Sequence, residues 1–412
     1  MRTSVVLAST VVVTVVVATG MIAAADSTAQ APAAPTARYW IDANTVSGFG
    51  ASGNAMAMMM GGGNTVQRSL WFRIGSTLAP TGGAPKADHF VPAGLRLGAS
   101  VPLETPAGKP APDTYGFDRP RGRLRIFWGC GPHVGPGQPV VIDFAKIAAG
   151  QFPPGLFSTT VPVEQGPTPG NSRTFGSWPN TLDKSGKMVK GDASLIGAHR
   201  IAGNYSPEIS FTLAQDFLPP IRARSADGPG GTVNLSWQQV ANATGYYAFA
   251  MGGMDKGKDS LDVVWWTSSA TKEFGGGLSD YLPPATVTRL IGQKIVMPPT
   301  QTSCQIPAEV KTAGGEMLIT MLSAFGPEEN IAYPPRPANP RTPWRPEWTV
   351  KVRHKSSTTL LAGMDMDAMM SGGDERAGRG DGSGGDAPKK KCKKRGGFGG
   401  MLGSALGVPG GC

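Results

Sequence analysis

Charge is in short supply in this chain: Asp, Glu, Lys and Arg make up only 17% of its residues. Histidine and cysteine are scarcer still, with four of each. No GxSxG nucleophile elbow, no HExxH helix and no phosphate-cradling glycine loop between a strand and a helix is present, so the common hydrolase, zinc-protease and nucleotide-binding signatures find no support. There is no CxxC pair and no zinc-like cysteine spacing. The four histidines, His89, His133, His199 and His354, stand apart in sequence. Asp88 and His89 are adjacent, and neighbours on a strand point to opposite faces, so direct cooperation between them is not expected. The histidines therefore read as surface or internally satisfied groups, and the chain as non-enzymatic, with no cofactor. No internal repeat emerges.

Glycine (58) and proline (37) are abundant instead, spread between short apolar runs. Distributed in this way they punctuate turns and favour many short strands over long helices. Leu70, Phe72 and Ile74 alternate with Trp71 and Arg73; Leu95, Leu97, Ala99, Val101 and Leu103 alternate with Arg96, Gly98 and Ser100. The same period of two runs through Leu124–Cys130 and Ile209–Leu213, and it predicts strands with one face on a core. A short helix is predicted over Asp143–Ala149. The expected fold class is all-β: two sandwich-like domains followed by a disordered tail.

The chain opens on Met1-Arg2, continues with an uncharged stretch from Ser4 to Ala25, and closes that stretch on Ala23–Ala25. A positive start, an apolar middle and a small-residue end define a secretory signal; an uncleaved anchor is the alternative, because about 20 apolar residues can span a bilayer. The predicted organisation is a signal peptide at 1–25, a linker at 26–38, a β-rich domain at 39–218, a sandwich at 219–354 and a Gly-rich tail at 355–412. In an exported chain Cys130 and Cys304 are either small buried residues or a disulfide, and both readings stay open. Cys392 and Cys412 fall in the tail.

Within 219–354, Val233, Leu235 and Trp237 share one face, a turn follows at Asn242–Gly245, and Tyr246–Ala250 continues as a strand. This stretch resembles the second and third strands of a fibronectin type III or immunoglobulin-like sandwich. Leu318–Ala324 resembles the sixth, with Leu318 where a Tyr is usual. The resemblance implies that Trp237 and Tyr246 pack in the core. Trp348, Val350 and Val352 would supply a last strand.

Three binding features remain. Met56, Met58, Met59 and Met60 form one cluster, and Met364, Met366, Met369 and Met370 a second. Thioethers are soft ligands that select Cu(I), which makes a copper-binding periplasmic protein one alternative; flexible apolar filler is the plainer reading. In the tail, Lys389, Lys390, Lys391, Lys393, Lys394 and Arg395 concentrate six positive charges in a chain of net charge +10. Such a run suits an anionic envelope surface or another envelope protein, and export makes nucleic acid a poor partner. Trp265 and Trp266 point to opposite faces if they lie on a strand. An exposed one is a sugar-stacking platform, which opens a carbohydrate-binding or hydrolase alternative, and burial beneath a loop is the plainer reading.

Overall fold

The computed structural model describes residues 34–48, 51, 65–106, 122–149, 151, 161–180, 186–255, 260–315, 318–339 and 341–362. The signal segment, both methionine clusters, the Lys389–Arg395 run, Cys392 and Cys412 lie outside the described residues. What is described is mostly strand. In chain order the first half holds β1 (Ala37–Gly48), β2 (Val66–Ser76), β3 (Ala87–Phe90), β4 (Ser100–Pro102), β5 (Arg123–Trp128), β6 (Val140–Asp143), α1 (Phe144–Ala148), β7 (Thr174–Trp178), β8 (Lys187–Val189), β9 (Gly197–Gly203) and β10 (Ile209–Leu213). The second half holds β11 (Ala223–Asp227), β12 (Val233–Trp237), β13 (Gly245–Asp255), β14 (Leu261–Thr267), α2 (Pro284–Gly292), β15 (Ser303–Ile306), α3 (Ala308–Gly314), β16 (Leu318–Tyr333) and β17 (Trp348–Leu361).

One ten-stranded sheet, ordered β6-β5-β14-β13-β16-β17-β1-β2-β7 with β8 beside β2, backs two smaller sheets. At one end the sheet β10-β9-β3-β4 packs on β1, β2 and β17 through Tyr39, Ile41, Phe72, Ile74, Ile201, Phe211 and Val352. At the other end β11-β12-β15 packs on β13, β14 and β16 through Leu235, Trp237, Tyr246, Ala250, Trp266 and Leu322. The result is two sandwiches that share a wall. The two meet at β16/β17, and beside that seam runs the parallel pair β1/β17, in register from Ala37↔Trp348 to Gly48↔Thr359. Position 218/219, the predicted boundary, falls in a segment laid across β1: Thr45 Oγ donates to the Leu218 carbonyl at 2.5 Å and Ser47 Oγ to the Ile221 carbonyl at 3.0 Å.

The alternation in sequence located β2, β5, β10 and β12 well, and the predicted short helix is α1. It failed over Leu95–Leu103. There a 3-10 turn at Ala93–Leu95 ends on Arg96 in the left-handed region (φ 55°), Gly98 follows at φ 87°, and only Ser100–Pro102 is extended. Two positive-φ residues so close together cannot stay on a pleated strand. Pro327 sits where the β16/β17 register shifts between Phe325 and Glu328. A bulge tolerates a residue with no N–H, and so a proline fits inside this long strand. Cys130 and Cys304 are joined as a disulfide, Cα atoms 5.3 Å apart, tying the end of β5 to β15 across the second sandwich.

Candidate functional site

The outer face of the large sheet behind the first sandwich carries a buried charge cluster. Side chains alternate across β1, β2 and β17, so Tyr39, Ile41 and Val352 face the core while Trp40, Asp42, Arg73, Lys351 and Arg353 face outward. Asp42, only 4% exposed, accepts from Arg353 Nε at 2.7 Å and Nη2 at 2.8 Å, a bidentate clasp, and from Arg73 Nη2. Arg353 Nη1 reaches Asp280 at 3.5 Å. The aromatic rings complete the shell: Arg73 lies 3.8 Å from the Trp71 ring centre, and Arg353 lies 4.7 Å from Trp40 and 4.6 Å from Tyr281. Lys351 pairs with Glu164 and, at 3.0 Å, with Glu328. Three cations (Arg73, Lys351, Arg353) thus face four carboxylates (Asp42, Glu164, Asp280, Glu328), and Lys355 Nζ lies beside them, donating to the Ser279 carbonyl at 3.0 Å and 4.8 Å from the Tyr281 ring centre.

Burial works against charge on both arginines. For Arg73 it prevails, and its affinity for the proton falls; for Arg353 the surrounding carboxylates, Asp42 foremost, outweigh it and hold the proton more tightly. The cover over the cluster is tight. A Cβ at Gly166 would meet Trp40 Cε3 at 2.7 Å and Arg73 Nη1 at 2.9 Å, so only glycine permits this approach.

A second network lies inside the first sandwich. Tyr39 Oη stands 2.8 Å from His89 Nδ1, His89 Nε2 stands 3.0 Å from His199 Nδ1, and His199 Nε2 stands 2.8 Å from the Leu195 carbonyl. A carbonyl only accepts, so His199 carries its proton on Nε2 and accepts on Nδ1. His89 then donates from Nε2 and accepts the Tyr39 hydroxyl proton on Nδ1. The chain of donors has one direction and no spare position. Burial foremost, with His199 opposing charge beside it, depresses the proton affinity of His89 strongly; burial also depresses that of His199, against the pull of its Leu195 bond and Glu329. Burial raises the Tyr39 phenol well above its usual range, and nearby Tyr205 adds to the shift.

Of the four histidines, folding thus joins His89 to His199. His354 is buried beside Glu329 at 3.3 Å, and His133 is exposed beside Glu309 at 3.0 Å. The Trp pair divides as strand geometry requires. Trp266 is fully buried and donates from Nε1 to the Gly129 carbonyl at 2.9 Å; it offers no ring face to a sugar. Trp265 is half-buried against Phe249 (6.0 Å) and Phe274 (5.7 Å). Trp237 and Tyr246 meet at 5.5 Å, and the Tyr246 hydroxyl accepts the Val240 N–H at 2.8 Å.

Among the described residues no group of three or more His, Cys, Asp or Glu is placed to hold a metal ion. One open hollow of about 710 Å³ is bordered by Gln67, Arg96, Lys187, Lys190 and Asp192, with Arg96 tied to Asp192 at 2.9 Å. Another of about 390 Å³ lies between Thr36, Leu78, Asn204 and Glu347. Neither is lined by a member of either buried network. The chain matches no family model, no curated protein and no solved structure.

Proposed function

We propose that this is an exported, non-enzymatic binding or structural protein whose C-terminal tail attaches it to an anionic envelope surface. The observation that carries the reading is where the sandwiches finish. β17, the last described strand, is flanked on one edge by β1 and on the other by β16. The Lys389–Arg395 run follows it in sequence, so both edges of β17 are filled without it. Roughly 1 kcal/mol per basic residue near an anionic surface is available to such a run. The Cys130–Cys304 bridge suits an oxidising compartment, which supports export. The reading of the second sandwich as fibronectin type III-like draws on strand order: counted from β11, the segments at Val233, Tyr246 and Leu318 are the second, third and sixth of seven strands.

The test is fractionation of cells producing the full chain or a version ending at Ala362, with membrane pellets washed at low and high salt. Full-length protein is expected to pellet and to be released by salt, while the truncation stays soluble. If both stay soluble at every salt concentration, surface attachment by the tail is wrong.

A second reading, copper binding, is favoured by one feature of the fold. β1 and β17 are parallel and finish together at Gly48↔Thr359. Gly48 and Thr359 are thus neighbours in the sheet, and the two methionine clusters follow these strands in sequence, at Met56–Met60 and Met364–Met370. Titration of the purified protein with Cu(I) is expected to give binding that a variant with all eight methionines changed to leucine loses. Equal affinity in the two proteins removes the metal reading.

A further inference from the structure

The loop between the two longest strands contains far more proline than closure requires. β16 and β17 are already paired at Tyr333↔Trp348, and an antiparallel hairpin closes with two residues, yet residues 334–347 intervene. Within them proline recurs at 334, 337, 340, 343 and 346, every third position; Pro340 lies outside the described residues. Period three is the period of the polyproline II helix, and within each arm of the loop it sets two prolines three residues apart, 334 with 337 and 343 with 346. Each proline also forces the residue before it toward extended backbone.

The described part of the loop is ordered by its own contacts. Two arms, 334–337 and 343–346, are joined by a turn in which the Thr342 N–H donates to the Asn339 carbonyl at 3.1 Å and the Arg341 N–H to the Asn339 side chain at 3.0 Å. Trp344 Nε1 donates to the Pro334 carbonyl at 2.9 Å, and the Arg336 guanidinium lies over the Trp344 ring at 5.7 Å. Neither arm contributes a residue to a hydrophobic core cluster. Arg336, Arg341 and Arg345 are exposed. Pro346 is buried, Pro337 and Trp344 are half-buried and the other described loop residues are exposed; the sequence makes the loop stiff, cationic, rich in carbonyl acceptors and poor in N–H donors.

We propose that the hairpin is a docking element for a partner domain that reads short polyproline II ligands through a groove lined by aromatic rings and bordered by carboxylates. Prolines fit between aromatic rings, and a segment held extended before binding loses little conformational entropy on docking. The three arginines select an acidic rim over a neutral one. This inference is independent of the tail, the compartment and the methionines.

The experiment uses the full, disulfide-bonded chain, titrated calorimetrically with purified SH3, WW and EVH1 domains as probes. Two variants accompany it: Pro335→Ala with Pro337→Ala and Pro343→Ala, and Arg341→Gln with Arg345→Gln. All these positions lie in the hairpin, so thermal melts of the variants are expected to match the parent and serve as the folding control. The expected result is saturable micromolar binding by at least one domain, weakened about tenfold or more by the proline variant, a loss of about 1.4 kcal/mol. Two outcomes overturn the proposal. One is no saturable binding by any probe. The other is binding that survives the proline variant and disappears with the arginine variant, which would make the loop a charge-only site for an anionic polymer.

Discussion

Asp42→Ala is expected to cost about 3–5 kcal/mol of folding stability, read as a fall in the urea midpoint at unchanged slope. The magnitude follows from what the substitution leaves behind rather than from what it removes. Asp42 accepts three hydrogen bonds from two guanidinium groups that are themselves almost fully enclosed, Arg73 at 5% exposure and Arg353 at 4%. Without Asp42, among the described residues Arg353 retains the longer contact to Asp280 and its ring contacts to Trp40 and Tyr281, and Arg73 retains its ring contacts to Trp40 and Trp71. Two like charges would then face one another across β1 with nothing between them. Taking an ion out of water costs several kcal/mol even after relaxation, and a cation–ring contact offsets only about 1–2 of that.

The converse variant separates a structural cluster from a site kept for ligand chemistry. Replacing the triad together, Asp42→Leu with Arg73→Met and Arg353→Met, removes the desolvation cost along with the attraction, and such replacements are often neutral or stabilising. The triple variant is therefore expected to be more stable than Asp42→Ala alone, despite carrying three substitutions. If instead Asp42→Ala costs less than about 1 kcal/mol, the cluster is as wet as a surface ion pair and the burial argument fails. The cluster staples β2, β1 and β17 beside the seam between the sandwiches. Its loss should also loosen the parallel β1/β17 pair, an effect that hydrogen exchange at those strands would register.

These central residues were also the hardest to read from sequence, and for one reason. β1 and β17 are covered on both faces: core on one side, the charge cluster and its loops on the other. A strand buried on both faces shows no period of two. Tyr39-Trp40-Ile41-Asp42-Ala43 thus begins at the edge of what reads as a linker, and the last seven residues of β17, 355–361, fall in the stretch that reads as tail, which therefore starts too early at 355. Where one face meets solvent, as in β10 and β12 with strictly alternating burial, the pattern located the strand within a residue. The His89–His199 contact was out of reach for a different reason. Their strands, β3 and β9, are antiparallel neighbours from opposite ends of the first region, and nothing local encodes that pairing. The proline hairpin, by contrast, carries its signal openly, as a period of three rather than of two or 3.6.

Folding stability is expected to fall as pH drops below about 6.5, by between about 2 and 4 kcal/mol on going from pH 7 to pH 5, because of His89 and His199. Both imidazoles are neutral in the folded chain, locked into a donor sequence that runs from the Tyr39 hydroxyl to the Leu195 carbonyl. Burial depresses both proton affinities below the ordinary histidine value, to which each returns on unfolding. The sign follows directly. Above about pH 6.5 neither state binds the protons and the contribution is fully present; below it the unfolded chain takes them up while the folded chain resists, so the equilibrium moves toward unfolding. Each histidine that stays neutral contributes a slope of up to about 1.4 kcal/mol per pH unit. The other ionisable groups in reach are Tyr205 near Tyr39 and the Glu329–His354 pair near His199. None of them supplies a proton acceptor to the buried chain. Urea melts at half-unit steps from pH 7.5 to 5 would give the slope. The same series on His89→Gln with His199→Gln should be flatter by most of that slope, whatever the variant loses in absolute stability. Parallel slopes in the two proteins would assign the acid sensitivity to the surface carboxylates and leave the buried pair without a role in it.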